Sequence, residues 1–138
     1  MPVKMNDATI NRPEGKRLID APALLININD YVDQLKDERA WKKNDRNAIT
    51  VFKSAGVTMV LSAFHKGAEI KDLQLDGLLI LQVIEGEISV SKDEEETLSV
   101  KKNQVLALNQ EYGYMLIAEM DTIILLSAIK EEEKEKVI

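Results

Sequence analysis

Few side chains in this chain could do chemistry. One histidine, His65, stands alone, and there is no cysteine. A lone histidine can act as a general base or as a single ligand at the rim of a fold. It can equally be a strand-end residue whose ring is hydrogen-bonded or solvated. One histidine without neighbouring ligands makes no metal site, and without thiols there is no cysteine site or disulfide framework. No Gly-x-Ser-x-Gly element accompanies His65, so serine-type nucleophilic catalysis has no parts. The six glycines are scattered rather than gathered into a phosphate-cradling loop. Two uncharged polar residues stand out by their place in the pattern. Gln82 interrupts the apolar run from Leu78 to Ile84. It either anchors a small ligand in a cavity or satisfies a backbone group on the opposite face. Tyr114 either sends its hydroxyl into a cavity or packs across strands with its tip in water. Met59, Met115 and Met120 offer soft side chains for a core or an apolar interior.

These residues need elements to position them, and composition bounds what those can be. The chain has 138 residues, 45% of them hydrophobic and 30% charged, which suits one globular domain with a single core. The net charge of −6 argues against a nucleic-acid backbone as partner, since that needs clustered Lys and Arg. No apolar run approaches the ~20 residues of a membrane helix. The opening Met1-Pro2-Val3-Lys4-Met5-Asn6-Asp7 lacks the apolar core of a secretory signal. The expectation is therefore a cytoplasmic protein with neither a nucleic-acid nor a membrane partner.

Residues 1–15 are polar and aperiodic and are expected as a flexible arm. Residues 16–47 should hold one or two short strands and a helix that packs on the main domain. Ile28, Tyr31, Val32 and Leu35 fall at i, i+3, i+4 and i+7, one face of a helix running to about Ala40. Asn27 or Asn29 can cap it, and Asp30 suits its first turn. Trp41 packs near its end, and Lys42 to Asn47 reads as a polar loop. From residue 48 the period changes to short strands, to about residue 130, and residues 131–138 form a charged tail. Strands are expected at Ile49–Lys53, Val57–Phe64, Ile70–Leu75, Leu78–Ile84, Glu87–Ser91, Thr97–Val100, Gln104–Leu108, Tyr114–Glu119 and Thr122–Ile129. The run from Leu78 to Ile84 is apolar almost throughout, so both its faces should be covered. Ile88 and Val90 alternate with Glu87 and Ser89, so one face of that strand should meet water. The Glu85-Gly86 corner joins the two.

The segment from about Val57 to Ile129 resembles a cupin, a small barrel of the jelly-roll class. Gly67-Ala68-Glu69-Ile70 resembles the glycine entry to the first cupin motif, and Val83-Ile84-Glu85-Gly86-Glu87 resembles its core. Leu98 to Leu108 resembles the second motif, with Asn103 where the family usually has glycine. Arg46-Asn47-Ala48-Ile49-Thr50 is similar to the approach to the barrel in a subgroup of small single-domain cupins. The resemblance implies an all-β fold, a cupin-type double-stranded β-helix with one short N-terminal helix.

The family's metal ligands are two histidines and a glutamate in the first motif and a histidine in the second. Counted from Gly86, the glutamate position falls on Leu79. The histidine positions fall near Leu73 and Leu75, or on Asp72 and Gln74 if the register slips by one. The second-motif histidine falls on Tyr114. Leucine has no lone pair, so the metal site is carried over to no residue and no cofactor is expected. What remains is a barrel interior expected to be lined by Met59, Leu73, Leu75, Leu79, Gln82 and Tyr114. Two function classes follow. One is a metal-free module that binds a small apolar molecule or serves interaction or structure. The other is a metal-independent, epimerase-like isomerase with His65 as base and Tyr114 as acid, a metal-dependent enzyme being the more remote form. The resemblance also implies a homodimer. The apolar Leu24, Leu25 and Ile26, more than one small barrel needs, point the same way.

Overall fold

A computed structural model of the chain describes residues 4–6, 17–73, 77–92, 96–109 and 113–130. Two antiparallel sheets face each other across a shared apolar core. The first contains β3 (Arg46–Lys53), β4 (Val57–Phe64), β6 (Leu78–Glu85), β9 (Val105–Leu108) and β11 (Thr122–Ile129), in the order β3-β4-β11-β6-β9. The second contains β5 (Glu69–Leu73), β7 (Glu87–Lys92), β8 (Thr97–Lys101) and β10 (Tyr114–Ala118), in the order β5-β10-β7-β8. Chain neighbours such as β6 and β7 lie in different sheets. That interleaving is the mark of a jelly roll. β1 (Lys4–Asn6) pairs with β2 (Arg17–Asp20) in a separate ribbon, so a strand lies inside the segment expected as an arm.

Side-chain alternation divides the larger sheet between two cores. On β6, Leu79, Leu81 and Val83 are buried in the core between the sheets, while Ile84 joins a second cluster on the outer face. Both faces of this strand carry apolar contacts, as its sequence predicts. On β7 only alternate residues are buried, Ile88 and Val90, also as predicted. The second cluster gathers Leu35, Ile49, Val51, Leu61, Ala63 and Ile123, with Ile28, Tyr31 and Val32 packed against it. The i, i+3, i+4, i+7 face is thus the face that docks on the sheet.

The helical segment differs from expectation: it forms two helices, not one. α1 (Ile28–Asp37) is capped by Asn27, whose Oδ1 accepts from the Asp30 N–H at 3.3 Å. Glu38 then turns extended (φ −73°, ψ 150°), and α2 (Arg39–Lys43) follows. Glu38 holds two partners across this break: Gln34 Nε2 donates to one carboxylate oxygen at 3.2 Å, and Asn47 Nδ2 to the other at 3.0 Å. Arg46 and Asn47 do not close a loop but open β3, where Asn47 also donates to the Leu35 carbonyl at 3.0 Å. Among the described residues no helix is long and apolar enough to cross a membrane.

Candidate functional site

At one end of the sandwich Leu73, Leu79 and Tyr114 share the inner core. Tyr114 opens β10 opposite Leu73 on one side and Lys92 on the other, and it is 7% exposed. Leu73 arrives there through a β-bulge. Between the pairs Tyr114–Leu73 and Leu116–Ile70, β5 spends one residue more than β10, and Asp72 takes the left-handed conformation (φ 55°). The bulge turns both Ile70 and Leu73 inward and leaves Asp72 exposed. Of the two registers open in the sequence, the leucine at 73 therefore faces the interior. Leu106 and Leu126 pack against the same core.

Other expected lining residues lie elsewhere. Met59 packs in the second cluster, outside the barrel and toward the helices. Gln82 shares the face of Ile84, opposite Leu81 and Val83, because side chains alternate along β6. Leu75 lies outside the described residues.

His65 sits at the opposite end. Its ring stacks on Trp41 with centroids 3.5 Å apart and planes 17° from parallel. Its Nε2 lies 2.8 Å from the Trp41 carbonyl, which can only accept, so Nε2 carries the proton. Its backbone N–H donates to Asp45 O at 2.8 Å. The turn after it is bonded to Ala118, the far end of β10 from Tyr114: the Gly67 N–H donates to Ala118 O and the Ala118 N–H to Ala68 O. Four residues of strand, roughly 13 Å, separate Ala118 from Tyr114. A base and an acid must both come within hydrogen-bond reach of one substrate. His65 and Tyr114 do not, since one ring lies on the helix layer and the other lies in the inner core. The acid–base pair drawn from the sequence is not assembled.

Beside His65 the structure builds a polar corner that sequence spacing does not disclose. Arg46 Nε donates to Asp45 Oδ1 at 2.9 Å, its Nη2 donates to Glu69 O at 2.6 Å, and its guanidinium stands 5.5 Å over the Phe64 ring. The hydrogen bond from Arg46, and then its charge, hold the Asp45 carboxyl below its ordinary value. The same bond raises Arg46. The only signal in the sequence was the pair's adjacency.

No protein-family model matches this chain, and no curated protein matches it. Solved structures do. A cupin superfamily protein from Desulfitobacterium hafniense matches with a TM-score of 0.60 at 15% identity, over 64% of this chain and 80% of its own. A conserved protein of unknown function from Streptococcus pyogenes matches at 0.61 and 18%, over 83% and 93%. The chain has the cupin fold. The same fold carries an enzyme among its matches: a salicylate 1,2-dioxygenase from Pseudaminobacter salicylatoxidans, with a TM-score of 0.54 at 18% identity, over 62% of this chain and 26% of that one.

With the cupin frame in place, the residues at the usual metal positions can be tested as donors. Leu73 and Leu79 offer hydrocarbon, and Tyr114 offers a single phenol oxygen in place of the imidazole nitrogen such a site uses. Among the described residues no three His, Cys, Asp or Glu side chains converge as a ligand set. These side chains do not fit a divalent ion. Asn103 meets the usual motif glycine differently: it adopts φ 68°, the left-handed conformation for which glycine is favoured, and its N–H donates to Val83 O at 2.9 Å.

Proposed function

We propose that this chain is a cytoplasmic cupin that works without a metal, as a homodimeric module binding a small, largely apolar molecule. One observation carries the reading. Leu73, Leu79 and Tyr114 all belong to the inner core, so three of the positions where cupin chemistry would need donors carry two leucines and one phenol. Leucines at those positions favour apolar contact with a ligand. The dimer is supported by Leu25, 96% exposed in the segment ahead of α1. A second copy would cover it and protect sheet edges.

Native mass spectrometry of the purified protein tests these points together. The expected spectrum shows a dimer without stoichiometric metal, carrying a small molecule released by organic solvent. Stoichiometric iron, nickel or zinc would overturn the metal-free reading. A monomer at micromolar concentration would overturn the dimer. If no molecule is retained and the interior proves packed solid in a crystal, the chain serves structure or interaction instead.

A further inference from the structure

A second site lies at the opposite end of the barrel from Tyr114, where the helix layer meets the sheet corners. A cleft of 260 Å³ is lined by Lys36 of α1, Trp41 of α2, the Glu85-Gly86 corner, and Met120 to Ile123 from the turn into β11. It is smaller than the ~300–1,000 Å³ of drug-sized pockets, which fits a metabolite about as large as an amino acid. Its apolar wall is preorganised. His65 covers one face of the Trp41 indole and holds the Trp41 carbonyl, and Ile123 is fixed in the second cluster.

The polar lining has both signs. Glu85 and Asp121 are carboxylates, and Lys36 is an ammonium. Among the described residues neither Lys36 nor Glu85 takes part in an ion pair or a side-chain hydrogen bond. Asp121 is held in place because its Oδ1 accepts from the Lys66 N–H at 2.8 Å, which leaves Oδ2 to a ligand. Two carboxylates against one ammonium oppose an anion, while a simple cation would leave Lys36 without a partner. A molecule carrying both charges satisfies all three groups. We propose that this cleft binds a small zwitterion of the α-amino-acid class. Its ammonium lies against Glu85 and Asp121, its carboxylate on Lys36, and its apolar part against Trp41 and Met120.

Trp41 is the chain's single tryptophan, so its emission reports on this cleft alone. The probes are L-leucine and L-methionine, with N-acetyl-L-leucine lacking the ammonium and L-leucinamide lacking the carboxylate. Calorimetric titration of the same compounds covers binding that leaves the emission unchanged. The expected result is saturable binding of the zwitterions and at least about tenfold weaker binding of both blocked analogues. Glu85→Gln and Lys36→Met should each weaken leucine binding about tenfold, and Glu85→Gln should narrow the gap between leucine and its N-acetyl form. Both positions are exposed, and circular dichroism should show an unchanged fold. Absence of saturable binding by either zwitterion would overturn the proposal. So would equal binding of the blocked analogues, or full affinity in both variants.

Discussion

Gly86 shows how tightly a single residue can be specified. It has φ +95°, and a Cβ built there would lie 2.5 Å from both the Asp121 carbonyl oxygen and Thr122 Oγ1. Neither neighbour can yield cheaply. The carbonyl is backbone, and Thr122 is 1% exposed, with its hydroxyl within hydrogen-bond distance of Glu87 N and O and of Met120 O. Gly86→Ala should therefore cost about 3 kcal/mol, from a strained φ and a clash together. Urea denaturation measures this, and a loss below about 1 kcal/mol would mean the corner relaxes freely. Asp45 gives the opposite case, a residue with a modest effect. Arg46 depresses its folded pKa below the ordinary 3.8. Its stabilisation is thus present above that value and is lost as pH falls through the folded value. Both groups are well exposed, so Asp45→Asn should cost no more than about 0.5 kcal/mol at pH 7. The difference from the parent protein should vanish near pH 2. A difference that persists there would assign the loss to packing rather than charge.

Between elements, Asn47 is the tie. Its Nδ2 donates to the Leu35 carbonyl near the end of α1 and to Glu38 Oε1, and its Oδ1 lies 3.0 Å from the Ala48 N–H. Asn47→Ala would leave a buried helix-end carbonyl without its donor, and a loss of about 2 kcal/mol is expected. Thermal melts followed in the far ultraviolet measure it, and an unchanged melting temperature would count against the tie. Asn47 also shows where sequence reading stops. The strand cadence, the two-faced β6, the one-faced β7 and the docking face of α1 were all legible, because each is a local period. The break at Glu38 was not, because the Asn47 side chain bonded to it lies nine residues on and in another element. The inward turn of Leu73 depends on a bulge at Asp72, and a bulge changes side-chain parity without a mark in the hydrophobic pattern. Gln82 was legible as an exception but not as to which face it takes. His65 pairs with Trp41 across 24 positions, a contact that no spacing rule encodes.

Across the whole molecule the larger sheet belongs to both cores, and the helices belong to one. β4, β11 and β6 are each paired on both sides, and each contributes to clusters on both faces of the sheet. α1 and α2 rest on the outer face alone, and their apolar residues join only the second cluster. Opening the helix layer would leave the core between the sheets intact, whereas opening β6 would dismantle both cores. Stability should therefore be layered: slowest amide exchange in β4, β6 and β11, through global unfolding, and faster exchange in α1 and α2 through a partial opening. Trp41→Ala tests the arrangement, because Trp41 packs against the second cluster and stacks on His65. It should lower the opening free energy of the helices by about 2 kcal/mol, less than a full core truncation because the ring is half-buried. It should lower that of the central strands by no more than the loss in global stability. Native-state hydrogen exchange in rising denaturant separates the two. If helices and central strands exchange together at every concentration, the molecule unfolds as one unit and the layered picture fails. If they separate, a ligand in the Trp41 cleft should slow exchange in α2, because that cleft is walled by the helix layer on one side and the sheet corners on the other.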